Sequence, residues 1–317
     1  MEASHLPRGL IVDLVTPLTG GGDIDGRGLG KQLDRVIPHV QGLLISSPYM
    51  GEGNLLKPEQ REELFEKSLV VVRGRAPVFM WISSKTTEKT RETLLSCKKI
   101  AENRKYKGPV FWVDTPLYYH SNRGLCRHYE EMISLAEEPF ILHNDPDLIS
   151  SIGTAFKRNN IRTGILKELS ILSGIKGLIF FGPLDRAYNY RNAVRARADF
   201  RIYDGDESYF LGHPSLSGVI SRGANLAPRA WQKITSSSLN LEGSQGDYPD
   251  YLRQVWETGG YLNKLKDIYS GLGPSFIKLV LKDMGVIEDD GMGKESENMS
   301  GEVNAVRDLM EKREDYS

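Results

Sequence analysis

Asp13 and His143 are the residues whose types and settings most directly invite chemistry. Each lies toward the end of an apolar run, Asp13 in GLIVDLVTPL and His143 in FILHND. A carboxylate beside an imidazole is a general acid–base device, because the acid orients a ring that titrates near neutrality. Asp114, Asp145, Asp204 and Asp206 also close apolar runs, and with His143 they offer oxygen-rich metal ligands. Acidic residues at such positions more often cap helices, and neither a metal nor a cofactor is assigned. Cys97 and Cys126 make neither a disulfide framework nor a four-ligand zinc site. His120 and His128 show no ligand pattern, and Gly20-Gly21-Gly22 lacks the Gly-Lys-Ser/Thr of a phosphate loop.

The elements that must position these residues alternate in type. Strand-like runs are Gly9 to Leu18, Gly42 to Ser47, Pro77 to Ser83, Val110 to Thr115, Phe140 to Asp145, Ile175 to Phe181, Phe200 to Asp204 and Gly218 to Ser221. Helical spacing falls between them, at Leu29 to Val40, Pro58 to Arg73, Thr86 to Asn103, Arg123 to Glu137, Leu166 to Leu172 and Asp185 to Arg197. Eight strands in strict alternation imply parallel pairing with helical crossovers. They fit an α/β fold of the (β/α)8 TIM barrel type, although an open doubly wound sheet shares the local pattern. The barrel is expected over residues 1–235 and a packed helical extension over 236–317. That extension reads as helices at Tyr251 to Thr258, Leu262 to Tyr269 and Ser275 to Met284, with polar loops at Ser236 to Gly246 and Glu288 to Gly301 and a charged last helix.

Composition narrows the class. Of 317 residues, 41 are Lys or Arg and 42 Asp or Glu, so no basic excess points to nucleic acid. No apolar run approaches the roughly 18 residues of a membrane span. The opening MEASHLPRGL has no apolar signal region. A cytoplasmic protein acting on a small molecule is expected.

Six segments then resemble one family in order and spacing: GLIVDLVTPLTGGGDID, Gly51-Glu52, TPLYYHSNRGLCRHYEEM, FILHNDP, YDGDE and SGVISRGANLAP. They are similar to the dihydrodipicolinate synthase and N-acetylneuraminate lyase family, and PSFIKLVLKDMG extends the likeness to Gly285. The resemblance implies a barrel with a C-terminal helical bundle, a homo-oligomer built as a dimer of dimers, and class I aldolase chemistry on a 2-oxo acid. In that chemistry a strand-six lysine forms an imine, a strand-five tyrosine shuttles protons, and a GTTGE-like loop holds the substrate carboxylate.

Carried over residue by residue, the pattern departs from the family's. The shuttle tyrosine corresponds to His143. The paired threonines correspond to Tyr49 and Met50. The arginine that follows YNVP has Leu148 in its place, with Arg162-Thr163-Gly164 echoing its context further on. Tyr118 matches the tyrosine that crosses the dimer interface, and Asp13 stands where the family has a small or apolar residue. Strand six admits two alignments. One puts the imine lysine at Lys167 in GILKELS. The other aligns IKGLIFF and places Ile179 there, 27 residues before Asp206 rather than 39. Spacing and the helical stripe of Leu166, Leu169 and Leu172 favour Ile179, and strand alternation turns Lys176 toward the helices. Ile179, Ile220, Tyr49 and Met50 are then expected to line the substrate pocket. Three functions remain open: a lyase acting through Lys167 or another lysine, an Asp13/His143 enzyme with or without a metal, and a non-catalytic paralogue that binds a small molecule or supports an active relative.

Overall fold

The eight apolar runs all become strands, and they close on themselves. β1 (Gly9–Asp13), β2 (Gly42–Ile45), β3 (Val78–Trp81), β4 (Val110–Asp114), β5 (Phe140–Asn144), β6 (Ile175–Phe180), β7 (Arg201–Asp204) and β8 (Gly218–Ser221) pair in sequence order as a closed parallel barrel, β8 returning to β1. The computed structural model describes residues 6–152, 158–214, 216–241, 248–290 and 299–313. The expected loops therefore fall partly outside the described residues, at 242–246 and 291–298.

Side chains alternate along each strand, so the barrel has two cores. Ile11, Leu44, Phe79, Trp81, Phe111, Val113, Ile141, Ile179, Tyr203 and Ile220 fill the inside. Leu10, Val12, Val78, Met80, Trp112, Leu142, Leu178, Ile202 and Val219 pack outward against the helices. Leu6 closes the bottom, where Tyr203 donates its hydroxyl to Pro7 O at 2.6 Å. At the β8–β1 seam a Cβ on Gly218 would lie 2.0 Å from Gly9 O, so only glycine lets the two strands meet.

The helices between strands are α1 (Gly26–Val36), α2 (Pro58–Val72), α3 (Thr87–Asn103), α4 (Pro116–Tyr119), α5 (Leu125–Leu135), α6 (Pro146–Ser151), α7 (Thr163–Leu169), α8 (Leu184–Val194) and α9 (Glu207–Gly212). Asp25, Thr86, Asp145 and Asp206 cap α1, α3, α6 and α9 by accepting from free first-turn N–H groups. The short α4, α6 and α9, each following a strand end, are too brief to show a period in sequence.

α10 (Pro228–Ser238), α11 (Tyr248–Tyr269), α12 (Pro274–Asp283) and α13 (Ser300–Glu311) complete the chain. α10 runs through residue 235, so no break separates barrel from extension there. The two helices expected around residues 251–269 are one: α11 passes through Gly259-Gly260 without interruption. A glycine pair costs a helix about 2 kcal/mol. Burial of Tyr261, Leu262, Leu265 and Tyr269 on one face offsets that cost. No helix among the described residues is long and apolar enough to cross a membrane.

Candidate functional site at the barrel mouth

The C-terminal ends of the strands converge on the mouth, where barrel chemistry is placed. His143 faces inward from β5 in register with Ile179 on β6, which in turn pairs with Tyr203 on β7. Ile179 is fully buried and carries no group able to form an imine. Lys176 points the other way. Its Nζ lies 3.2 Å from Asp199 Oδ2, and Arg197 shares the same carboxylate, so this lysine belongs to the helix layer. Lys167 is exposed on α7.

His143 is held by a short chain of hydroxyl and ring groups. Its Nδ1 lies 2.8 Å from Thr115 Oγ1, which accepts from Trp81 Nε1 at 2.9 Å. Phe181 meets the imidazole edge-on at 5.4 Å, and Tyr118 meets Trp81 edge-on at 6.1 Å. Buried among aromatics without a counter-ion, the ring is held neutral, its pKa pushed down to about 3. With Trp81 donating to Thr115, the threonine proton is free to point at Nδ1, which leaves the ring proton on Nε2.

Asp13 faces the interior from β1 but takes other partners. Ser47 hydrogen-bonds its carboxylate, Arg222 attracts it and Glu207 repels it. Oδ1 is buried with no hydrogen-bond partner. Desolvation outweighs the rest and raises the carboxyl to about 7. Among the described residues Asp13 and His143 share no direct hydrogen bond. Arg222 is itself held, its Nε 3.5 Å from Glu207 Oε2 and its guanidinium 5.3 Å over the Tyr269 ring. Glu207 also accepts from Ser221 Oγ, Gly223 N and Tyr269 OH.

The remaining candidates scatter. Tyr49 is 44% exposed, its hydroxyl bonded to Ser151 and pushed up to about 12 by burial and the nearby Asp145 and Asp147. Met50 is buried in the outer core, while Ile220 lies in the inner one. Arg162 is exposed at the start of α7, and Leu148 is buried in α6. Asp114 turns outward and accepts from Ser83, Tyr119 and Tyr129 hydroxyls. Asp145 and Asp206 are occupied as caps. Among the described residues no group of three or more His, Cys, Asp or Glu is placed to hold a metal. His120 stacks on His128, which meets Tyr119 OH through Nε2, beside Asp114 rather than in the mouth.

Sequence reasoning passed over Arg222, Ser47 and Thr115. Arg222 carried a signal, as the single charge in the small and apolar run SGVISRGANLAP. The two hydroxyls carried none, because serine and threonine at strand ends are ordinary turn residues.

A closed parallel barrel ringed by helices, with inward residues from several strands converging at its mouth, defines a (β/α)8 barrel of the TIM type. The chain belongs to the Dihydrodipicolinate synthetase family, which it matches over residues 6–302. It is 28% identical over 286 residues to the 4-hydroxy-tetrahydrodipicolinate synthase of Aromatoleum aromaticum, covering 88% of this chain and 89% of that one. The enzyme of the same name from Protochlamydia amoebophila is 27% identical over 239 residues, covering 74% and 75%. Among solved structures, dihydrodipicolinate synthase from Aquifex aeolicus superposes with a TM-score of 0.75 at 21% identity, covering 97% of this chain and 98% of its own. The 4-hydroxy-tetrahydrodipicolinate synthase of Methylacidiphilum fumariolicum superposes at 0.74 and 22%, covering 98% and 99%. At these identities the superpositions speak for the fold.

Proposed function

We propose that this chain has given up imine chemistry and serves as a small-molecule-binding barrel, not as a 2-oxo-acid lyase. The observation that carries the reading is Ile179 on the inner face of β6, with Lys176 turned to Asp199 and Lys167 exposed on α7. An isoleucine offers no amine, and no other lysine takes its place on that strand's inner face. The neutral His143, fixed by Thr115 and covered by Phe181, further supports a site closed to proton shuttling. A cytoplasmic homo-oligomer, arranged as a dimer of dimers like the family's usual assembly, belongs to the same proposal. Supporting an active relative in a mixed oligomer is one use for such a barrel, and co-purification from native cells tests it.

Family membership favours the competing reading, a lyase on pyruvate or another 2-oxo acid through a lysine elsewhere. Borohydride reduction in the presence of pyruvate and of 2-oxobutyrate, read by intact mass and peptide mapping, separates the two. Unchanged mass is expected. A stoichiometric adduct on any lysine, surviving at low oxo-acid concentration, overturns the proposal.

A further inference from the structure

Asp13 presents a problem that the fold leaves unsolved. Among the described residues its Oδ1 is buried inside the barrel without a donor, and its carboxylate has the Ser47 hydroxyl as its one hydrogen-bonding neighbour. Leaving a carboxylate oxygen desolvated and unpaired is costly, and the remedies are protonation, a hydrogen-bond donor or a cation, of which only the last two let the group stay ionised. Among the described residues no further protein group supplies a donor to Oδ1. Arg222, the nearby cation, is committed to Glu207 and to the face of Tyr269. An ionised Asp13 adds to Glu207 a negative charge that Arg222 alone does not balance, and in the free chain burial resists that ionisation, raising the carboxyl to about 7.

The other walls fit the same occupant. On the side of β3 to β6, Tyr118 packs edge-on against Trp81 and Phe181 edge-on against His143, and rings of this kind attract cations, as the Arg61 guanidinium 4.8 Å over Trp81 shows. A carboxylate ligand meets the opposite: Asp13 repels it, and Tyr49 and Met50 stand where the family has paired threonine hydroxyls.

We infer that the barrel mouth binds a small organic ammonium ion, with Asp13 as its counter-ion and hydrogen-bond acceptor. This rests on the reading of the mouth as a binding site rather than an imine site. The missing strand-six amine is replaced by a positive charge brought by the ligand, and the site's preference is inverted from anionic oxo acids to cations.

The test is calorimetric titration and thermal shift of the full chain with ethylammonium, choline, acetate and pyruvate. Ethylammonium is expected to bind and to raise the melting temperature. Choline, which has no N–H to give Asp13, is expected to bind more weakly, and acetate and pyruvate not at all. Asp13→Asn, which removes the charge at nearly constant volume, is expected to weaken ethylammonium by about tenfold or more. Should that variant fail to fold, the Asp13 carboxyl carbon of the unmodified protein is followed by NMR, and a shift on adding ethylammonium is expected. Silence of that signal, equal binding by Asp13→Asn, or acetate binding as well as ethylammonium overturns the inference. An imine adduct in the borohydride experiment overturns the earlier reading instead, so the two failures are distinguishable.

Discussion

His143 and Ile179 are register partners on adjacent strands, both turned into the barrel. On the reading proposed above, that these two positions held the family's proton shuttle and imine lysine, their consequences are coupled. A shuttle serves an intermediate that needs protons moved, and without the imine there is none to serve. The histidine itself is held on two sides, bonded to Thr115 and met edge-on by Phe181.

That construction sets how His143 titrates. Burial without a counter-ion pushes its pKa down to about 3, so its ring nitrogens should keep neutral NMR signatures from pH 8 down to pH 4. Because the folded value lies below the ordinary one, its contribution to stability is whole above about pH 6.5 and is lost as pH falls toward 3. Thr115→Val leaves Trp81 Nε1 and His143 Nδ1 without their shared hydroxyl, and urea unfolding should show a loss of about 1–3 kcal/mol. A ring that titrates near 6.5 in the folded protein contradicts this account.

Asp13 and Asp204 slope the other way. Desolvation raises both carboxyls to about 7, with Asp206 adding to the rise at Asp204. Between about pH 4 and pH 7 the folded chain therefore holds protons that the unfolded chain has released. The stability they contribute is present at low pH and is lost as pH rises through 7. In the absence of ligand, Asp13→Asn should be more stable than the parent at pH 8 by about 1–3 kcal/mol and nearly equal to it at pH 4. Denaturant midpoints across that range decide the matter, and an Asp13→Asn profile parallel to the parent's counts against it.

The barrel was legible because its signals are periodic. Eight β-branched runs separated by helical stripes imply parallel strands with helical crossovers, the family resemblance chose the closed barrel over an open doubly wound sheet, and alternation turned Lys176 outward and Ile179 inward. The mouth was less legible. Asp13 was visible as a charge in an apolar strand, but its partner was not. Pairing across a barrel depends on which strand ends face each other, and Ser47 and Arg222 reach Asp13 from the loops after β2 and β8. Met50 shows the same limit: two residues beyond Pro48, its side chain enters the outer core, a choice made by loop backbone and not by strand period.

That loop is tightly wound, and Gly53 is the residue that allows it. Ser46 and Glu52 adopt left-handed backbone conformations, and Gly53 N donates to Ser47 O at 2.8 Å. A Cβ on Gly53 would lie 1.9 Å from Ser46 O, a backbone atom that cannot move without unwinding the turn. Gly53→Ala should cost about 2–4 kcal/mol, since strain of this kind has no flexible side chain to absorb it. It should also disturb Ser47, and through it the environment of Asp13. A melting temperature within a degree or two of the parent's would show that the loop has slack.

Glu52, in the same loop, anchors the C-terminal helices to the barrel. Its carboxylate pairs with Lys278 Nζ of α12, and both side chains are largely withdrawn from water, at 14% and 3% exposure. For a pair this buried, attraction and desolvation nearly cancel, so the pair as a whole contributes little against an apolar replacement. Breaking it from one side is different, because the survivor stays buried and uncompensated. Lys278→Met and Glu52→Gln should each destabilise, the former by about 3–5 kcal/mol. The double variant should lose less than the sum, and a double-mutant cycle in denaturant measures the difference as coupling. Additive losses would mean that α12 is held by the packing of Phe276, Ile277, Val280 and Leu281 alone, with the ion pair a bystander.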